Sequence, residues 1–338
     1  MKKRQSIAAG RHPEDTDEDL ITRIAWLYYK EKLTQQQIAE RISLSRQKVQ
    51  RLLEKARDLE IIQFTLKHPF VNLMSVETEI RTRYGLRDAV VAPTSTSDRD
   101  MRSRAFAIAG AAYLERKLAT LQKCTLGIGW GNTTASLADY FEPKTVSGHI
   151  EIVSLIGNLM LNVSMNPYIM AEKMARKLHA PFYSIWAPAI AQTRERAEVF
   201  KSEPWIKEVL DIGRRADIIL ISIGEASESA SLFKMGYLSQ ADLRRLVGKG
   251  AVGDILCRYF DAEGQFVMDD VHDRVIGIPT EVFGDERKLI IGVAGGEGKV
   301  AAIRAALLKK YINVLITDET TAVALLRPGQ SRKPNEGR

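Results

Sequence analysis

Two glycine-rich stretches and one isolated carboxylate supply residues whose types and spacing could do chemistry. The stretch GIGWGNTT, residues 127–134, follows the apolar run CTLGI and leads into a helix-forming segment. Such a strand-to-helix turn lets backbone N–H groups and a helix N-terminus face an anion, with the Thr133 and Thr134 hydroxyls as further donors. The bare alternative is a tight connection that binds nothing. Its spacing is GxGxG and not the GxGxxG of dinucleotide sites, and no acidic residue ends the next strand at the expected offset. The stretch GVAGGEGK, residues 292–299, also follows an apolar run and opens a helix. It departs from the Walker pattern, because Val300 stands where a Ser or Thr would hold magnesium, so ATP is not the expected ligand. Lys299 remains suited to one phosphate as a point charge. In KGAVGDIL, residues 249–256, the glycines around Asp254 favour close backbone approach, and its carboxylate could accept hydrogen bonds from sugar hydroxyls or serve only its own turn.

A second chemistry lies nearer the N-terminus, in TQQQIAERISLSRQKVQRLLEKA, residues 34–56. Ile38, Ala39 and Ile42 form one helical stripe, and Val49, Leu52 and Leu53 form another. The SLS break between them ends at Ser45, placed to cap the second helix. Thr34 followed three residues later by Gln37 is a capping box for the first. From Arg46 to Arg57 there are five basic residues against one acidic. A helix that presents Arg46, Gln47 and Gln50 suits base edges in the major groove, while Lys48, Arg51 and Lys55 suit phosphates. Thr34, Gln35 and Ser45 at the helix starts complete the expected DNA-facing set. The competing reading is a basic face that is only solvated.

Positioning these residues requires two kinds of domain. Leu20, Ile21, Ile24, Ala25, Leu27 and Tyr28 predict a supporting helix before the motif, with Asp17, Glu18 and Asp19 at its favourable end. After Glu60, the run IIQFTL predicts a small strand or wing. Helices are expected over residues 73–84 and 104–121, and strand-like and helix-like segments then alternate: LRDAVVAP, CTLGIGW, IEIVSLIG, PFYSIWAP, DIILISIG, KLIIGVAGG and NVLITD, separated by helices that include 166–178 and 194–214, with a mixed run over 252–268. Apolar strands alternating with helices indicate a mostly parallel sheet covered on both faces, a doubly wound α/β domain. Ligands of such sheets bind beyond the carboxyl ends of the strands, where both glycine stretches fall. The expected organisation is an arm at 1–15, a helix-turn-helix domain at 16–70, an effector and oligomerisation domain at 71–328 and a loose tail at 329–338.

Composition bounds the rest. The chain has 338 residues and a formal net charge of +7, which favours polyanionic partners. Cys124 and Cys257 lie in apolar runs and read as buried free thiols, and the five histidines show no ligand spacing, so no metal and no cofactor are expected. No apolar run suits a membrane span and the start lacks a signal-peptide core, which predicts a cytoplasmic protein.

Taken in order over nearly the whole chain, the N-terminal motif with GIGWGNTT, GYLSQADL, KGAVGDIL, GVAGGEGK and LITDETTA resembles the SorC family of bacterial sugar-responsive transcription regulators, nearest its Lsr-type branch. The resemblance implies a helix-turn-helix joined to an effector domain related to sugar-phosphate isomerases, assembled as a homotetramer. It implies a repressor on double-stranded operator DNA, controlled by a phosphorylated sugar or polyol. Carried over by position, it implies that Gly129, Gly131, Thr133 and Thr134 line the phosphate side with Lys299, that Asp254 meets sugar hydroxyls, and that Gly157 and Asn158 lie at an adjacent strand end. The alternative is an isomerase or deaminase with an appended helix-turn-helix. Enolisation needs a base and a partner acid beside the carbonyl. The chain offers Glu225 alone after DIILISIG and lacks the Asp-Gly-Ala-Asp loop of pentose-phosphate isomerases, so no catalytic residue is expected.

Overall fold

The computed structural model describes residues 17–62, 70–93, 99–159 and 167–327. The expected arm, tail, most of the wing and the start of the polar loop after Pro93 lie outside them. The chain divides into two compact units, Met1–His68 and Pro69–Arg338. The sequence reading put the end of the first domain at Phe70, but that residue opens a helix of the second unit directly after Pro69.

The first unit holds α1 (Asp17–Tyr29), α2 (Gln35–Arg41) and α3 (Arg46–Asp58). Leu20, Ile24 and Leu27 of α1 pack on Ile38 and Ala39 of α2 and on Val49 and Leu53 of α3, all buried. Both caps form as the residue types predict. Thr34 Oγ1 accepts the Gln37 amide at 3.3 Å while Gln37 Oε1 accepts the Thr34 amide at 2.9 Å, and Ser45 Oγ accepts the Lys48 amide at 3.2 Å. The turn between α2 and α3 reverses through Ser43 in the left-handed region, φ 54°, which sequence spacing did not reveal.

The second unit begins with α4 (Phe70–Tyr84), β1 (Asp88–Ala92), α5 (Arg99–Leu118), β2 (Lys123–Ile128), α6 (Asn132–Tyr140), β3 (His149–Ser154), α7 (Pro167–Leu178) and β4 (Phe182–Tyr183). It continues through α8 (Arg194–Ser202), α9 (Pro204–Arg215), β5 (Ile218–Ile221), β6 (Gly224–Glu225), α10 (Ser231–Lys234), α11 (Gln240–Gly248), β7 (Gly253–Ile255), β8 (Arg258–Phe260) and α12 (Asp270–Arg274). It closes with β9 (Leu289–Val293), α13 (Val300–Leu308), β10 (Val314–Asp318) and α14 (Glu319–Leu326). Seven strands form one parallel sheet in the order β1-β10-β9-β5-β2-β3-β4. The helices over 73–84 and 104–121 begin earlier than expected, at Phe70 and Arg99, and the PFYSIWAP strand shrinks to two edge residues. The mixed run supplies β7 and β8, which pair with β6 in a small antiparallel sheet.

Alternate residues of the central strands serve two cores. Ile219, Ile221 and Leu315 face α4, α13 and α14 through Ile80, Ile303 and Leu325. Ile218, Leu220 and Ile316 face α5, α6 and α7 through Leu114, Leu137 and Met174. Burial on both faces explains the uninterrupted apolar runs, each large side chain contributing about 1.5–3 kcal/mol of transfer free energy.

Candidate effector site and DNA-reading helix

The chain leaves β2 toward β3 on one side of the sheet and leaves β5 toward β9 on the other. The carboxyl ends of β2 and β5 therefore flank the topological switch point, where open α/β sheets bind ligands. Gly129, Trp130 and Gly131 stand at the end of β2, and the Gly129 amide donates to Leu220 O at 2.8 Å. A Cβ on Gly131 would lie 2.5 Å from Ser222 Cβ, and its φ of 150° also excludes other residues. α6 starts there, with Gly131 at its cap position, so the cap residue has no side chain to close its N-terminus. The first amides of a helix have no intrahelical acceptor.

Three other loops reach this crevice. The turn from β7 to β8 packs on the β2 turn: a Cβ on Gly129 would lie 2.8 Å from Leu256 Cδ2, and Trp130 hydrogen-bonds the Cys257 sulfur. Leu256 and Cys257 turn the hairpin in left-handed conformations, φ 50° and 63°. Asp254, buried, accepts the Cys257 amide at 3.0 Å, and a Cβ on Gly224 would lie 1.9 Å from its Oδ1. Burial pushes the Asp254 carboxyl up to about 6, while the Cys257 amide and the Lys299 ammonium oppose that rise. Lys299 thus shares the field of Asp254. Glu225 borders the same loop, since a Cβ on Gly298 would lie 2.5 Å from its Oε2, and Ser229 Oγ donates to Glu225 Oε1 at 2.6 Å.

The sequence-derived set divides on this geometry. Gly129, Gly131 and Lys299, on loops, and Asp254, on β7, come together near the ends of β2, β5 and β9. The Thr134 hydroxyl, fully buried, donates to Gly131 O at 2.8 Å, so it braces the turn instead of offering its proton outward. The Thr133 side chain lies outside the described residues. Gly157 and Asn158 hold the segment after β4: a Cβ on Gly157 would lie 2.5 Å from Ala187 O, and Asn158 Nδ2 donates to Ile185 O at 3.1 Å. Their types answer to that close backbone approach. Ser222 and the 255–258 hairpin escaped the sequence reading because nothing local marks a neighbour so distant in the chain. A cavity of about 450 Å³ opens at the other end of the sheet, lined by Arg214, Arg215, Asp217, Glu281, Arg287 and Lys288 among others. Its groups are largely engaged with the protein, Lys288 Nζ on Ala216 O at 2.7 Å and Arg287 on Asp285, and it lies away from the strand ends that form the crevice.

In the first unit, Arg46, Gln47, Lys48, Gln50 and Arg51 of α3 are exposed, as are Thr34 and Ser45, with Gln35 half-buried. Gln50 Nε2 donates to Glu54 Oε1 at 3.1 Å. The exposed face of a capped second helix matches the recognition helix of a helix-turn-helix.

Residues 68–327 match the family described as a sugar-binding domain. The chain is 31% identical over 312 residues to the erythritol catabolism regulatory protein EryD of Brucella abortus, covering 92% of this chain and 98% of that protein. It is 33% identical over 315 residues to the transcriptional regulator LsrR of an Enterobacter species, covering 92% and 94%. The full-length sorbitol operon regulator SorC of Klebsiella pneumoniae superposes with a TM-score of 0.71 at 26% identity, over 93% of this chain and 100% of that one. The chain belongs to the SorC family of sugar-binding transcriptional regulators. It is a sugar-responsive regulator whose family members named here are regulators and not enzymes, which sets aside the isomerase alternative. No helix among the described residues is long and apolar enough to cross a membrane.

Proposed function

We propose that this SorC-family regulator is a repressor that reads double-stranded operator DNA with α3 and is released by a phosphorylated sugar or polyol bound at the β2/β5 switch point. The observation that carries the reading is the convergence there of a helix N-terminus with glycine at its cap, Lys299 and the buried Asp254. Helix-end amides and an ammonium favour a phosphate, and a buried carboxylate suits hydroxyl donors. Relatives named for erythritol catabolism and a sorbitol operon support a polyol-derived ligand. One small helix-turn-helix buries too little for tight specific binding, so the chain acts as a homo-oligomer, a tetramer by family likeness, that reaches paired half-sites.

Calorimetry with glucitol 6-phosphate, erythritol 4-phosphate and the free polyols tests the site. Lys299→Ala should weaken the phosphorylated ligand more than the free polyol, and Asp254→Ala should weaken both. Equal affinity of Lys299→Ala and the unmodified chain for the phosphorylated form would move the phosphate elsewhere. A monomeric mass by light scattering, with and without operator, would remove the oligomer.

A further inference from the structure

α14 is held at both ends by polar contacts, buried at its start and ranging from buried to exposed at its end. At its start Asp318 caps the helix: Thr321 N donates to Oδ1 at 2.9 Å and Thr321 Oγ1 to Oδ2 at 2.6 Å. Asp318 Oδ2 and Thr321 Oγ1 also take the Gly296 amide from the loop after β9, at 3.1 Å and 2.7 Å. Asp318 and Thr321 are 0% and 1% exposed. A Cβ on Gly295 would lie 2.3 Å from Asp318 Oδ2, so the glycine loop rests directly on the cap.

At the other end, the last carbonyls of a helix have no intrahelical donor. Here Arg304 Nη2 donates to Ala324 O at 2.8 Å and Nη1 to Leu325 O at 3.0 Å. Tyr84 Oη donates to Leu325 O at 2.8 Å, and Arg83 donates to Leu326 O. Arg304 Nη1 also reaches Tyr84 Oη at 3.2 Å, which ties α13, α14 and α4 into one knot. Arg83 and Tyr84 end α4, the first helix of the second unit along the chain.

We propose that α14 is a coupling strut that transmits displacement of the 294–299 loop to α4, with Asp318 and Thr321 as its input and Arg304, Tyr84 and Arg83 as its output. An eight-residue helix is too short to be stable alone, so its position follows the contacts at its ends. The Asp318 and Thr321 bonds are buried and have few alternative arrangements, so the helix follows the loop it is capped on as a body. The strut rests on reading the 294–299 loop as part of the effector site, but its existence does not require a ligand and is tested without one.

Hydrogen–deuterium exchange on the full unliganded chain measures it. Thr321→Val removes the hydroxyl that takes the Gly296 amide and should speed exchange in α4 at least tenfold. Tyr84→Phe removes the hydroxyl that meets Leu325 O and should speed exchange in the 294–299 loop by a similar factor, because coupling is reciprocal. Peptides from α3 and β2 should be unchanged. The double variant should exchange no faster in α4 than the faster single variant. Changes confined to the neighbourhood of each substitution, or additive effects in the double variant, would overturn the strut. An effector site elsewhere would leave these results intact and refute only the placement of the ligand.

Discussion

Gly131 and Ser222 close the seam between the carboxyl ends of β2 and β5: a Cβ added to Gly131 would stand 2.5 Å from Ser222 Cβ and 3.0 Å from its Oγ. Two strands far apart in the chain thereby set the geometry of one turn. Gly131→Ala should lower stability by about 1–3 kcal/mol, since both the contact and the φ oppose it. Pairing it with Ser222→Gly should recover only part, because the backbone strain persists. Denaturant melts of the single and double variants check this, and full recovery would show that crowding alone excludes a side chain.

On α3, base readers and phosphate binders should fail differently. Arg46→Ala or Gln47→Ala should relax preference at particular operator positions by about 1–3 kcal/mol, whereas Lys48→Ala should weaken all sequences alike and flatten the salt dependence. Titrations of operator and scrambled DNA at several salt concentrations separate the two. Unchanged affinity and selectivity in all three variants would remove α3 from the interface.

The Ser45 cap offers a control that leaves the basic face untouched. Ser45→Ala frees the Lys48 amide and should destabilise the first unit by about 1 kcal/mol. Ser45→Asp should retain the cap while lowering DNA affinity through its charge. Thermal melts and DNA titrations on the same samples distinguish the effects.

Two buried groups should give opposing pH dependences. The Asp254 carboxyl is raised to about 6 by burial, so its contribution is greatest below its unfolded value near 4 and is lost as pH rises through 6. His272 accepts the Tyr259 amide at 2.6 Å on Nε2 and is lowered to about 4 by burial and by the nearby Arg258 cation, with Lys249 adding to this and Asp269 and Asp273 opposing it. Its contribution is present above the unfolded value near 6.5 and is lost as pH falls toward 4. Between pH 4 and 6 the two largely offset. Asp254→Asn should therefore make the protein more acid-sensitive than the unmodified chain, and His272→Gln should make it less so. Parallel profiles of stability against pH in all three proteins would show that neither group titrates as its surroundings dictate.

Sequence alone determined the features whose causes are local. Thr34 with Gln37 and Ser45 with Lys48 sit three residues apart, so their caps follow from helix geometry whatever surrounds them. The apolar runs of β5, β9 and β10 are legible because burial on both faces removes alternation. Glycines 129 and 131 signalled close approach without naming what approaches. Tertiary structure decided the partners: Ser222 and the Leu256 hairpin against the β2 turn, Asp254 under Gly224, and Asp318 beneath Gly296. It also turned the Thr134 hydroxyl inward onto Gly131 and gave Asn158 to Ile185, roles that residue type leaves open. A carboxylate in a sequence carries no mark of its depth, and depth, which packing alone sets, is what raises Asp254.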